Sequence, residues 1–333
     1  MGLINAVLAS EKAIAVQDEH GLDVVEGSLI QLGEMLRTQG YRFTTVTPAT
    51  HTRVNNQHSE EFTNNFVGIF GWSRAFKPHS ITPQLMQLMQ NAEVVQPHLN
   101  GLRSTVRFST LDDYLFAHSS YPTTEENAVF FGPDTYRFCL FIQNFLNAHT
   151  AQLNRAVDIG CGSGAAAVLI AKNRPSAEVL AVDINDSALR LTRVNAALND
   201  AENIIACVSN LLNDVTGEFD LIVANPPYLI DSEKRAYRHG GGALGAQLSL
   251  SMVDAGIARL SIGGTLLLYT GVAIINGDDP FLEAIKQRLM GTDLVWNYSE
   301  IDPDIFGEEV GAGVYKHIDR IAAIGLTITR PGH

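Results

Sequence analysis

The chain has 333 residues, 46% of them hydrophobic and 18% charged, and 23 Lys and Arg stand against 36 Asp and Glu for a net charge of −13. A buried core in one large domain or two is within reach of that composition, whereas a disordered, collagen-like or coiled-coil chain is excluded. The charge, −5 over residues 1–150 and −8 over the remainder, excludes a body that holds nucleic acid by phosphate neutralisation alone and leaves room only for a local basic patch. Cys139, Cys161 and Cys207 form no C-x-x-C pair, so a reduced, cytoplasmic protein without a disulfide framework or zinc knuckle is expected. Met1 to Ala9 is apolar but ends in Ser10-Glu11-Lys12, which does not read as a leader. The longest apolar run, Gly263 to Ile275, is interrupted by Tyr269-Thr270-Gly271 and falls short of the ~18 residues a membrane span needs.

Two textures follow along the chain. Leu29, Leu32, Met35 and Leu36 recur at helical spacing and stop at Gly40. Leu85, Leu88 and Met89 follow Pro83, a residue suited to a first helical turn. Ser104 to Ser109 and Tyr114 to His118 flank a polar Leu111-Asp112-Asp113 turn and predict two strands. Helices followed by a β-ribbon suggest a smaller α+β domain over residues 1–125, winged-helix-like in its order of elements. From residue 126 to 333 the pattern becomes regular. Apolar runs at Ala156–Ile159, Val179–Val182, Ile204–Val208, Phe219–Ala224 and Thr265–Tyr269 alternate with helical stretches at Ala165–Asn173, Ser187–Asn199, Leu244–Leu260 and Phe281–Met290. Fully apolar strands alternating with helices predict an α/β fold with a mostly parallel, Rossmann-like sheet. Runs near Leu294–Trp296 and Ile321–Ile328 would add an antiparallel C-terminal edge.

Ligands of such sheets bind at the carboxyl ends of the strands, where the chemistry is therefore sought. Asp158-Ile159-Gly160-Cys161-Gly162-Ser163-Gly164 joins the first strand to the next helix. Its glycines allow a tight turn and close backbone approach to a ligand, although a turn serving only packing would look similar. Asp183 ends the second strand, where a carboxylate can accept two hydrogen bonds from a ribose diol. NAD and S-adenosylmethionine both offer one, and Asp183 does not choose between them. Asp158 suits a cationic ligand, either an amino group or a sulfonium.

The fourth strand runs into Asn225-Pro226-Pro227-Tyr228. The Asn225 side-chain carbonyl and the Pro226 main-chain carbonyl can both accept from one planar –NH2, and Tyr228 offers a face on which an amide or base can stack. Two prolines stiffen the loop and remove competing N–H donors. Taken together, Asp158-x-Gly160-x-Gly162-x-Gly164, Asp183 and this tetrad resemble the class I S-adenosylmethionine-dependent methyltransferases that modify amide or exocyclic amino nitrogens. Within these the chain is similar to the HemK-like protein-glutamine N5-methyltransferases and the small-domain rRNA methyltransferases over roughly residues 127–330.

The resemblance implies S-adenosylmethionine as cofactor, held by Asp158, Gly160, Cys161, Gly162, Gly164, Asp183, Ile184, Asn210, Leu211 and Asn225. It implies a catalytic set of Asn225, Pro226, Pro227 and Tyr228. Phe131, Pro133, Asp134 and Thr135 match a family segment near the substrate pocket, although the preceding Pro-Arg of that family is absent. Asn210 stands where the family places an acid against the adenine amino group. The glycine-rich run Arg238 to Gly245 departs from the family pattern and reads either as a flap or as a loose surface loop.

Methylation of a macromolecule is expected. A protein glutamine in a translation component is favoured over an rRNA or DNA amino group, on net charge, with residues 1–125 selecting the partner. A catalytically silent cofactor-binding scaffold and a nicotinamide oxidoreductase are the competing classes, and the tetrad argues against both. No nucleophile elbow supports a hydrolase. No metal cluster and no membrane contact are expected, and His51 and His58 read as surface or loop residues.

Overall fold

The computed structural model describes residues 23–58, 61–230 and 238–332, so the Met1–Ala9 run and the start of the N-terminal domain lie outside the described residues. Seven strands form the central sheet: β5 (Arg155–Ile159), β6 (Glu178–Asp183), β7 (Ile204–Val208), β8 (Phe219–Ala224), β9 (Leu260–Ile274), β10 (Val295–Asp302) and β11 (Arg320–Thr329). Their order is β10-β11-β9-β8-β5-β6-β7. The pairs among β5 to β9 are parallel, and β11 runs antiparallel between β9 and β10. The antiparallel edge is thus present, with the last strand inserted inside it.

Alternation along each strand supplies the two layers. Ala156, Val179, Ala181, Leu221 and Val223 face a core shared with α4 (Pro133–Ala148) and α5 (Ala165–Asn173). Their neighbours Val157, Ile159, Leu180, Val182 and Ile222 face α7 (Gln247–Ile257) and α8 (Pro280–Leu289) on the other side. A strand buried on both faces needs this unbroken apolar character. None of the described helices is long and apolar enough to cross a membrane.

The N-terminal elements are α1 (Val24–Thr38), α2 (Pro48–Gln57), α3 (Pro83–Asn91) and two hairpins, β1 (Val95–His98) with β2 (Gly101–Ser104) and β3 (Val106–Leu111) with β4 (Tyr114–Ser119). Their core continues into the sheet domain. Leu29, Leu32, Leu36, Phe108, Leu115 and Ala117 pack with Ala188, Leu191, Val194 and Leu198 of α6 (Asp186–Leu198).

Beside that apolar seam, Asn195 of α6 and Asn199 at its C-terminal cap cover the open edge of β4. Asn195 accepts from Ala117 N–H at 2.7 Å and donates to Ala117 O at 2.9 Å; Asn199 repeats the pattern with Leu115 at 3.1 and 2.9 Å. The i, i+4 spacing of the two amides along α6 spans alternate residues of β4, so a buried strand edge meets its hydrogen-bond requirement without a partner strand. Asn195 also donates to Ser163 O of the glycine loop at 2.8 Å, tying the hairpin to that loop.

His51 is a correction to the expected surface position. It lies on α2 at 1% exposure, its ring tilted against Tyr121 at 4.2 Å with Nε2 at 2.9 Å from Trp72 O. Thr47 as N-cap and Pro48 at the first turn start this otherwise polar helix, whose lack of an apolar stripe hid it.

Candidate active site

The chain leaves β5 outward through β6 and β7 and then returns to β8 on the other flank of β5, so strand order reverses between β5 and β8. Ile159 and Ala224 are in register there. The glycine loop and the tetrad that follow these residues therefore lie side by side, in the crevice where such sheets bind ligands. Along the same edge follow Asp183 at the end of β6 and Asn210 beyond β7. One cavity of about 470 Å³ is lined by all four segments.

Gly160, Gly162 and Gly164 have φ of +72°, +53° and +74°, the left-handed region in which side chains with a Cβ are strained. Gly162 N–H donates to Asp183 Oδ2 at 3.0 Å and Asn185 N–H to Asp183 Oδ1 at 2.9 Å. These amides orient the carboxylate and leave each oxygen further acceptor capacity. Burial raises the Asp183 pKa, and the amide hydrogen bonds oppose that rise. Asp158, 2% exposed, is pushed up to about 7 by burial. Ile184 is 64% exposed beside Asp183 and offers an apolar flank to a flat ring, and the side chain of Asn210 is exposed nearby. The donor set fits S-adenosylmethionine: a carboxylate pair, loop amides and an apolar shelf along one wall.

Of the residues expected at the site, Asp158, Gly160, Cys161, Gly162, Asp183, Ile184, Asn210, Leu211, Asn225, Pro226, Pro227, Tyr228, Pro133, Asp134 and Thr135 all line the cavity. Gly164 instead caps α5. Phe131 turns into the core at 0% exposure, between Phe116 at 5.7 Å and His118 at 5.0 Å, and its neighbour Phe130 lines the cavity in its place. Sequence reasoning missed Thr47 and Pro48, Ala128 and Val129, Arg137, and the wall Asp304-Ile305-Phe306-Gly307-Glu308. None of these carries a motif.

The glycine-rich run is packed against the tetrad at Gly240 and Gly245 and exposed at Gly242 and Ala243. A Cβ on Gly245 would lie 1.9 Å from Tyr228 O, and one on Gly240 would lie 2.6 Å from Pro227 O. Gly240 N–H donates to Leu229 O at 2.8 Å. These glycines let the segment back directly onto the tetrad's main chain. Tyr228 is 7% exposed, with its hydroxyl donating to Asp134 Oδ2 at 2.7 Å and its ring edge-on to Phe306 at 5.9 Å. Among the described residues, no group of His, Cys, Asp and Glu converges as a metal site.

Residues 139–272, which span the crevice from the glycine loop to the tetrad, match the family model described as the methyltransferase small domain. The release factor glutamine methyltransferase of Lactococcus lactis is 43% identical over 168 residues, covering 46% of this chain and 58% of that protein. Its counterpart in Deinococcus radiodurans is 34% identical, covering 46% and 55%. The ribosomal RNA small subunit methyltransferase C of Serratia proteamaculans is 30% identical over 112 residues, covering 34% and 29%. The chain thus spans between 29% and 58% of the length of these curated relatives. Among solved structures, a SAM-dependent methyltransferase from Agrobacterium tumefaciens aligns at 17% identity and a TM-score of 0.46, covering 76% of this chain and 80% of its own.

Proposed function

We propose that this protein transfers a methyl group from S-adenosylmethionine to a planar amide or exocyclic amino nitrogen of a macromolecule, with a protein glutamine in a translation component as the acceptor. The observation that carries the reading is the tetrad lining the same cavity as Asp183 and the glycine loop. The cofactor supplies an electrophilic methyl group whose C–S bond breaks with its electron pair kept on sulfur. Asp183 binds the ribose hydroxyls, Ile184 and Leu211 flank the adenine, Asn210 accepts from its amino group, and Asp158 faces the cationic end.

On the acceptor side, Asn225 and the Pro226 carbonyl accept from the –NH2 and aim the nitrogen lone pair at the methyl carbon. The nitrogen forms the new N–C bond, and its proton leaves to water. Alignment of this kind lowers the barrier by about 7–11 kcal/mol. The two carbonyl acceptors stabilise the nitrogen more as it gains positive character, so their contribution is greatest at the transition state.

A protein acceptor is supported by the net charge of −13, by Asp304 and Glu308 on the cavity wall, and by the relatives named for release factor glutamine methylation. Phosphate would meet repulsion there. Residues 1–125 are assigned to partner selection, since Thr47 and Pro48 reach the cavity, and the protein to the cytoplasm. An rRNA amino group is the second reading, favoured by the match to the small-subunit rRNA enzyme. The test is incubation with tritiated S-adenosylmethionine and cell extract, divided between protease and nuclease. Label released by protease supports the glutamine reading; label released by nuclease and resistant to protease replaces it with the second.

A further inference from the structure

Tyr228 brings the one aromatic face of the tetrad, and a ring on two rotatable bonds must be held if it is to orient an acceptor. Its main chain is backed by Gly240 and Gly245. Beneath the ring lies Gly271 of β9, where a Cβ would come within 2.4 Å of the ring carbons. The hydroxyl bond to Asp134 pins the outer end of the ring against swinging about the Cα–Cβ bond, while packing over Gly271 resists rotation about the ring's own axis.

Asp134 is 5% exposed at the second residue of α4, and both its oxygens are engaged within the chain. Oδ2 accepts from Tyr228; Oδ1 accepts from the Tyr269 hydroxyl at 2.7 Å and from Arg137 Nη1 at 3.2 Å. Arg137 in turn holds Asp302 at 2.7 Å, two residues before the wall that begins at Asp304. Burial and the neighbouring carboxylate raise the Tyr228 pKa, so the phenol stays protonated and acts as a donor, not as a base.

We infer that Asp134 is a positioning residue: through the Tyr228 hydroxyl it fixes the ring against which the acceptor nitrogen is oriented, and through Arg137 and Asp302 it anchors the start of the cavity wall. The inference rests on the methyl-transfer reading. It assigns Asp134 a role that needs no contact with the substrate, and it predicts losses confined to the acceptor step.

The test is a double-mutant cycle of Asp134→Asn and Tyr228→Phe. Initial rates are measured with saturating tritiated S-adenosylmethionine and soluble cell extract as acceptor source. Affinity for S-adenosylhomocysteine is measured alongside by calorimetry. Each single variant should lose about 10-fold or more in turnover, the effect of one charge-assisted hydrogen bond on a preorganised group. The double variant should be no slower than the worse single one, and S-adenosylhomocysteine affinity should stay within about twofold of wild type. Tyr228→Phe keeps the ring and its packing, so if Asp134→Asn does not fold, that variant alone decides: wild-type turnover in it overturns the inference. Additive losses, or a fall in S-adenosylhomocysteine affinity, overturn it as well. Absence of label with the wild-type protein overturns the methyl-transfer reading itself and the inference with it.

Discussion

The two ends of the cavity are built differently. The end assigned to the cofactor stands on neighbouring strand ends of one sheet, from Asp158 near the end of β5 through Asp183 to Asn210, with the Gly162 and Asn185 amides holding the key carboxylate. The end assigned to the acceptor gathers Thr47 and Pro48, residues 128–130 and 133–135, Arg137 and Phe138, the tetrad and residues 304–308 from distant parts of the chain. A ligand that never changes can be read by strand ends whose spacing the sheet dictates. A varying acceptor is read by walls that the sheet leaves free to differ, and here those walls are locked by Asp134, Arg137 and three close-packed glycines.

Removing one group from each end should separate their functions. Asn225→Ala should lower turnover by about 10²-fold or more, as for loss of one preorganised transition-state contact, with cofactor affinity little changed. Single-turnover rates at saturating cofactor check this; a collapse of cofactor affinity with turnover preserved would move Asn225 to the other end. Asp183→Ala should weaken cofactor binding by about 1.5–3 kcal/mol, the scale of a hydrogen bond to a charged group, and leave turnover at saturation near normal. Calorimetry with S-adenosylhomocysteine measures it, and unchanged affinity removes the ribose assignment.

The smallest effect is one of pH. With Asp158 held up to about 7, the cofactor-free protein carries it mostly protonated at pH 6. A sulfonium or ammonium beside it favours the carboxylate, so binding releases a proton below pH 7. S-adenosylmethionine should therefore bind about tenfold more tightly at pH 8 than at pH 6, with the dependence flattening above pH 7. The stability of the free protein runs the other way. Because the folded pKa lies above the ordinary carboxylate value of 3.8, the folded state binds the extra proton between about pH 4 and 7, and stability falls as pH rises through that window. Asp158→Asn should abolish both dependences. Titration in buffers of different ionisation heat, with no proton released at pH 6, would place the cationic group elsewhere.

Much of this molecule was legible in order along the chain. Unbroken apolar runs announced strands buried on both faces, and the glycines after β5 announced a tight turn, all three of them left-handed in the structure. Asn225-Pro226-Pro227-Tyr228 marked a candidate site, because two carbonyls and a ring stand in four consecutive residues, and the tetrad does line the cavity. These signals are local: period, backbone conformation and adjacent functional groups survive in one dimension. Three things required the folded chain. Phe131 and Phe130 look alike in sequence, and only packing against Phe116 and His118 sends the first into the core. Gly240, Gly245 and Gly271 carry no motif, and their necessity comes from main chain and ring approaching from elsewhere. Asn195 and Asn199 read as ordinary polar residues of a helix until β4 presents its unpaired edge to them. Composition and spacing thus determined the sheet and the place of the crevice. Contacts between segments far apart in sequence decided the acceptor end, because close approach and hydrogen-bond satisfaction are properties of pairs that only tertiary folding brings together.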